Sequence, residues 1–537
     1  MFADRPGAVW MGLLETNRGC PFQCTFCDWG SAVASAVRNF DEARVRAEIE
    51  WLARHGVEYV FCCDANFGIL PRDISIAEHV ADVHRATGRP VTFATQATKN
   101  ATERSYRVQK TLAESGVQGA VTVSLQSLDL HALELVKRAN ISITSFMELQ
   151  RRYVRDGIPT YTDMILGLPG ETYESWVGGL STLVASGQHD RVSFYNCAVL
   201  PNAEMGDPAY QKAHGMRLVS QRIIEAHAGL AEVERQPVAE YLDVVVETAA
   251  LPAADWRRAR VFAGLLELCY YDRLMQIPWA LAGALWQVDV RSLVEALLDA
   301  DRDAYPILTG VRERFERHAR AVQEGASDLL PSPEHLGIYW PLDQLTLIEM
   351  VADWRLDAFY GELAQIGAAT CAASNGFDPE LWREAVTVNR ALLRLPFQVL
   401  NGIHQSSWDL VGMWRGHTAG EVIAPSPGPC RYRIQRSRPP LHSLDAWCEF
   451  LVLCQNNKPG YLYTVEVEVE VEEGTLEPAV ATAGPAASGH PGAGRAGGGR
   501  PHASRRAGIG SGRFSPSSPT AEPTTRLPKP STSPPKR

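Results

Sequence analysis

The 537-residue chain is predicted to be α/β, and three observations predict it. Short apolar runs alternate with helix-like segments from Val9 to Val199, the pattern of βα units on a parallel sheet. From Met205 to about residue 473 helical periodicity dominates, ending in two expected strands. After Gly474 the composition turns to Pro, Gly, Ala, Ser and Arg, which cannot bury enough apolar surface to offset ordering entropy. The expected organisation is therefore a core at 1–210, a mostly helical accessory or substrate region at 211–473 with a terminal β-hairpin, and a disordered tail at 474–537.

The first strand is read at Val9–Thr16, followed by the loop Cys20-Pro-Phe-Gln-Cys24-Thr-Phe-Cys27. Three thiols in C-x3-C-x2-C spacing are natural ligands of an iron–sulfur cluster. A structural zinc site normally takes four protein ligands, and no fourth Cys or His lies nearby. A buried cysteine cluster is the plainer alternative. Phe40–His55 follows as a helix, capped by Asp41 with Val45, Ile49 and Leu52 on one stripe. Val57–Cys63 reads as a buried strand ending in Asp64-Ala-Asn66-Phe-Gly68. Cys62 and Cys63 lie inside it and are expected to be buried thiols, not ligands.

Further units are Asp73–Thr87 (helix), Val91–Thr95 (strand, ending at Gln96), Thr102–Ser115 (helix) and Ala120–Leu125 (strand, ending at Gln126). Ser124 and Gln126 alternate with apolar neighbours, so both are expected on one face. Leu130–Arg138 is read as helical and Tyr161–Leu166 as the fifth strand, closed by Gly167-Leu168-Pro-Gly-Glu-Thr172. Thr172 is placed to cap the next helix. Arg191–Val199 is the sixth strand.

These motifs, in this order, resemble the radical S-adenosylmethionine (SAM) superfamily. The resemblance implies a partial (β/α)6 barrel, a [4Fe-4S] cluster on Cys20, Cys24 and Cys27, and SAM at the open iron, cleaved to a 5′-deoxyadenosyl radical. It also assigns SAM-side positions. Phe26 and the backbone at Gly167 and Leu168 border the adenine. Asp64 and Asn66 stand where the family commonly has Gly-Gly-Glu for the SAM amino group, although an Asx turn explains them equally. Ser124 and Gln126 stand in the fourth-strand motif, whose polar side chains approach the ribose and carboxylate, and Gln96, ending the third strand, is a further candidate for binding the cofactor. No catalytic proton or hydrogen donor is identified.

The stretches Asn17–Trp29, Asp64–Gly68 and Val199–Asp207 look most like cobalamin-dependent radical SAM methyltransferases of natural products or modified peptides. Those usually carry a cobalamin-binding domain ahead of the cysteines. Here 19 residues precede Cys20, too few for such a domain, so poor intrinsic cobalamin affinity is expected. The alternatives are a cobalamin-independent radical SAM enzyme (rearrangement, cross-linking or oxidation) and a non-catalytic cluster-binding scaffold.

In the second half, Tyr241–Thr248 is expected as a strand, and helices near Ala254–Gln276, Val290–Gln323, Leu342–Ile366 and Pro379–Leu395. Tyr270, Tyr271 and Arg273 are read as core rather than as substrate contacts. Glu449–Leu453 and Tyr461–Val471 are expected as the terminal hairpin.

Charge bounds the partners. The tail carries nine Lys or Arg against two acids, leaving 43 basic and 60 acidic residues in the body, which argues against a nucleic-acid partner. The expected partners are a small-molecule or peptide substrate and an electron donor such as flavodoxin or ferredoxin. Eleven cysteines, an odd number, argue against a disulfide scaffold and for a reducing cytoplasm. Met1–Trp10 lacks the pattern of a signal peptide, and no run of 18 apolar residues suggests a membrane span.

Overall fold

Six parallel strands in chain order frame the first half: β1 (Met11–Leu14), β2 (Tyr59–Phe67), β3 (Thr92–Ala97), β4 (Val121–Thr122), β5 (Thr160–Leu166) and β6 (Val192–Asn196). β1–β2–β3 and β4–β5–β6 are hydrogen-bonded triplets, joined by Phe93 N–H donating to Val117 O at 2.7 Å. The structure is a computed structural model that describes residues 10–469, apart from 30–35, 99, 101, 399–400, 422, 437–440 and 455–457. The expected tail from Gly474 lies outside the described residues.

The helices of this half form where local signals place them. α1 (Glu42–Arg54) starts at Asp41, whose carboxylate accepts from Arg44 N, and buries Val45, Ile49 and Ala53. α2 (Asp73–Thr87) ends at Gly88, which adopts the left-handed conformation (φ 70°) that stops a helix. α3 (Thr102–Glu114) completes the layer. Val60, Cys62 and Phe93 of the sheet and Val45, Ile49, Ile76, Val80 and Leu112 of the helices make one apolar cluster.

β4 is shorter than expected. The chain leaves the ladder after Thr122 and touches β5 again at Gln126 (φ 69°), an isolated bridge to Met164. α4 (Leu130–Leu135), capped by Asp129, also ends early, and Lys137 has φ 53°. A helix not anticipated from the sequence follows: α5 (Ile143–Arg155), capped by Ser142, burying Phe146, Leu149 and Tyr153. α6 (Tyr173–Ala185) carries the expected cap, with Thr172 and Ser175 bonding each other's backbone.

The expected sixth strand divides. β6 stops at Asn196, and Ala198–Val199 joins an antiparallel sheet with Arg217–Arg222 and Tyr241–Glu247. The expected helix Ala254–Gln276 also divides. α7 (Ala253–Leu266) runs into a π-helical turn, Glu267–Tyr271, and Arg273 (φ 68°) separates it from α8 (Gln276–Trp286). The break is held by Arg273, whose guanidinium donates to the carbonyls of His189 (2.9 Å) and Asp190 (3.1 Å). α9 (Val290–Leu298) and α10 (Pro306–Gln323) replace one long expected helix, since Pro306 lacks an N–H and suits a first turn. α11 (Leu342–Ala352), α12 (Leu356–Cys371) and α13 (Pro379–Leu392) follow.

The terminal hairpin is corrected. Glu449–Leu453 is not a strand but part of helix Leu444–Leu453, started by Ser443 and burying Trp447, Cys448, Phe450 and Leu451. Val465–Val469 is a strand, and its partner is Pro427–Ile434, which in turn pairs with Gly402–Trp408. One apolar core runs from Tyr106 through Trp176, Trp256 and Trp340 to Val465, binding the second half of the barrel to the helical region. No helix among the described residues is long and apolar enough to cross a membrane.

Candidate metal centre

The cysteine loop leaves the carboxyl end of β1, the end at which α/β barrels carry chemistry. Cys20 is buried and Cys24 and Cys27 are half-buried. The loop is stitched down on two sides. Thr25 N donates to Val136 O beyond α4 (3.0 Å), and Met205 N donates to Thr25 O (2.8 Å). Within it Cys27 N donates to Cys24 O (3.0 Å). Burial pushes the Cys27 thiol up, and the neighbouring Cys24 and Cys20 add to this.

Two side chains address the sulfurs. Asn66 Nδ2, from the end of β2, donates to Cys20 Sγ at 3.1 Å. Arg138 Nη1 lies 4.0 Å from Cys24 Sγ, its guanidinium 5.9 Å from the Phe26 ring centroid. Arg138 is anchored by Ser124 O (2.7 Å), Leu125 O (3.2 Å) and Asn140 Oδ1 (3.0 Å). Burial lowers its pKa, while Cys24, Cys27 and Asp163 favour its charge.

Among the described residues no three Cys, His, Asp or Glu side chains converge on a point suited to a single ion. A cubane does not need that, because each thiolate binds its own iron. Three thiols at family spacing, two of them met by N–H donors, fit a cluster with one open iron better than a four-ligand zinc site.

The structure gives Asp64 a different place from the expected one beside a SAM amino group. Its carboxylate accepts from Thr16 N (2.7 Å), Asn17 N (3.2 Å), Asn17 Nδ2 (2.7 Å) and the Thr16 hydroxyl. Burial raises its pKa, and these donors hold it back. Asp64 thus clamps the start of the cysteine loop to β2, with no lone pair left over for an ammonium.

The open face of β5 carries Tyr161, Asp163 and Ile165, each less buried than the alternating Thr160, Thr162, Met164 and Leu166. Ser124 Oγ donates to Asp163 Oδ2 at 2.6 Å, and Asp163 stands in register with Ser193 on β6. Asp163 Oδ1, Gln126 Oε1, Ser193 Oγ and Asn196 Oδ1 are all buried without a protein partner. Buried polar atoms are normally satisfied, so this group is the mark of a bound polar molecule or water. Burial pushes the Asp163 carboxyl up, and Ser124, Arg191 and Arg138 pull it back.

Gly167 and Leu168 form the corner after β5. Gly167 has φ 97°, and a Cβ there would meet Val245 O at 3.3 Å, so only glycine suits the turn. Leu168 is buried with Val136, Val199 and Met205 in a small cluster against which Phe26 packs. Gln96 lies one residue before the end of β3, half-buried, and no hydrogen bond among the described residues joins it to the other candidates. The structure therefore brings Cys20 to Asn66, Cys24 to Arg138, Arg138 to Ser124, Ser124 to Asp163 and Phe26 to Leu168, and leaves Asp64 and Gln96 outside that chain. Sequence reasoning missed Arg138 and Asp163. The available signal for Asp163 was a lone charged residue inside a strand whose other members are uncharged.

Residues 14–179 match the model of the Radical SAM superfamily. This stretch is a radical SAM domain. The chain is 43% identical over 244 residues to a 2-(S-pantetheinyl)-carbapenam-3-carboxylate methyltransferase of Streptantibioticus cattleyicolor, covering 45% of this chain and 35% of that protein. It is 33% identical over 450 residues to the cobalamin-dependent radical SAM methyltransferase TokK of Streptomyces tokunonensis, covering 78% of this chain and 62% of that protein. The chain thus spans about a third and about three fifths of these curated relatives.

Proposed function

We propose that this protein is a radical SAM methyltransferase of the cobalamin-dependent type, acting on a small-molecule natural product. The observation that carries the reading is the cysteine loop at the mouth of the parallel barrel, with two N–H donors on its sulfurs, inside a domain whose relatives are methyltransferases. When bound, the cluster and SAM supply the deoxyadenosyl radical that removes a substrate hydrogen, and cobalamin supplies the methyl group. Cys20, Cys24 and Cys27 would hold three irons of the cluster and would leave the fourth open. Phe26 and the Gly167–Leu168 corner offer an apolar wall for the adenine. Ser124, Gln126 and Asp163 offer the acceptors and donors that a ribose or an ammonium requires, and Gln96 is kept as a further candidate contact from β3. Asp64 acts one step removed, by fixing the loop that carries Cys20. The electron comes from a low-potential donor such as flavodoxin or ferredoxin.

The test is anaerobic reconstitution with iron and sulfide, then incubation with SAM, dithionite, methylcobalamin and a pantetheinyl carbapenam carboxylate. Formation of 5′-deoxyadenosine with a methylated product, both lost in Cys24→Ala, is the expected result. Deoxyadenosine with an altered but unmethylated substrate would instead favour a cobalamin-independent enzyme. A full iron complement without SAM cleavage would leave a cluster-binding scaffold.

A further inference from the structure

We propose that Asn66 and Arg138 set the reduction potential of the cluster held by Cys20, Cys24 and Cys27; this rests on the cluster reading above. Asn66 is buried and spends an amide N–H on Cys20 Sγ at 3.1 Å. It lies where β2 departs from its register with β3, between the pairs made by Cys62 and Phe67, so it stands outside the regular ladder. The amide has a second donor and an acceptor, so this bond leaves its oxygen available to SAM.

Arg138 makes the second half of the frame. Its guanidinium is held by the carbonyls of Ser124 and Leu125 and by Asn140, all neutral acceptors. Among the described residues no carboxylate lies within ion-pair distance of it; the nearest acid in its chain of contacts, Asp163, is reached through Ser124. A half-buried cation with no carboxylate at ion-pair distance is costly, and thiolates bound to a cluster would be the nearest negative charge it faces, at 4.0 Å from Cys24 Sγ. Hydrogen bonds to the sulfurs and nearby positive charge both stabilise the more negative, reduced cluster, so both raise its potential. The two donors come from different units of the barrel, one from β2 and one from beyond α4, and address different cysteines.

The experiment is a dithionite potentiometric titration of the reconstituted full chain without SAM, with the reduced cluster followed by electron paramagnetic resonance. At the wild-type midpoint, Asn66→Ala and Arg138→Gln should each shift the reduced-to-oxidised ratio about tenfold toward oxidised, a midpoint about 59 mV lower for one electron. Arg138→Lys, which keeps the charge, should recover part of that shift. Midpoints equal to wild type in variants with full iron content would overturn the proposal. A second measurement uses the wild type alone, in case a variant loses its cluster: the Fe–S(Cys) stretching bands should move in D2O through the N–H···S bonds, and unmoved bands would equally overturn it. Failure of the wild type to assemble a cluster would sink the cluster reading instead.

Discussion

Asp64 shows how one residue can serve a site without touching a ligand. Its carboxylate gathers four donors from Thr16 and Asn17, 48 and 47 positions away in the chain. Asp64→Asn replaces one acceptor oxygen by an NH2 that faces those same donors. We expect a loss of roughly 1–3 kcal/mol in urea unfolding, the usual cost of a buried group left unmatched. Iron retention after reconstitution should fall as well, because the start of the cysteine loop loosens. An unchanged midpoint in urea together with wild-type iron content would show that the clamp is dispensable.

At the scale of the element, the β5–α6 corner is the informative one. Glu171 is buried there, accepting from Ser175 Oγ at 2.7 Å and from the Ser127 hydroxyl. Burial pushes its pKa up to about 7, against the pull of the two serines. The unfolded value is near ~4.3, so the folded state binds the proton more tightly. A raised acid contributes stability that is fully present below the unfolded pKa and is lost as pH rises through the folded one. Between pH ~4.3 and about 7, therefore, this corner should weaken as pH rises. Glu171→Gln keeps an acceptor and removes the titration. Thermal midpoints measured from pH 5 to 8 should fall less steeply in the variant than in the wild type. Parallel curves would assign the slope to other buried acids.

Across the whole molecule, Lys458 ties the last described segment to the helical core. It is buried against Asp272, Asp343 (3.2 Å) and Glu267 (3.6 Å). Burial opposes its charge, but Asp272, Tyr461, Asp343 and Glu267 together hold its pKa well above the usual value, so it stays charged. Asp272 and Glu267 flank the π-helical turn that separates α7 from α8. Lys458→Met leaves three carboxyls in the core without their cation. The expected cost is about 3–5 kcal/mol near neutral pH. It should shrink toward pH 5, because the stranded carboxyls then have folded pKa values above their unfolded ones and take up protons. Chemical denaturation at pH 5 and 8 reads both effects, and a loss independent of pH would point to packing alone.

Much of the barrel was legible because its signals are local. Asp41 and Thr172 cap the helices they were expected to cap, α2 spans Asp73–Thr87 as read, and the spacing of Cys20, Cys24 and Cys27 needs eight residues of sequence. Where two local readings competed, the sequence could not choose. The run Cys-Glu-Phe-Leu-Val-Leu is apolar enough for a strand or a buried helix, and Ser443 with the packing of Trp447 decided for helix. Ala120–Leu125 read as a full strand, yet the ladder stops at Thr122, Ser124 bonds Asp163, and Gln126, at φ 69°, meets β5 only as an isolated bridge. The site itself depended most on tertiary structure. Cys20 meets Asn66 across 46 residues and Cys24 meets Arg138 across 114, separations that no periodicity or cap encodes. The chain alone determined which atoms could bind a cluster, because ligand chemistry resides in residue type and spacing. Which neighbours would shape it was decided only when the strands came together, because hydrogen bonds and buried charge depend on distances that exist in the folded state.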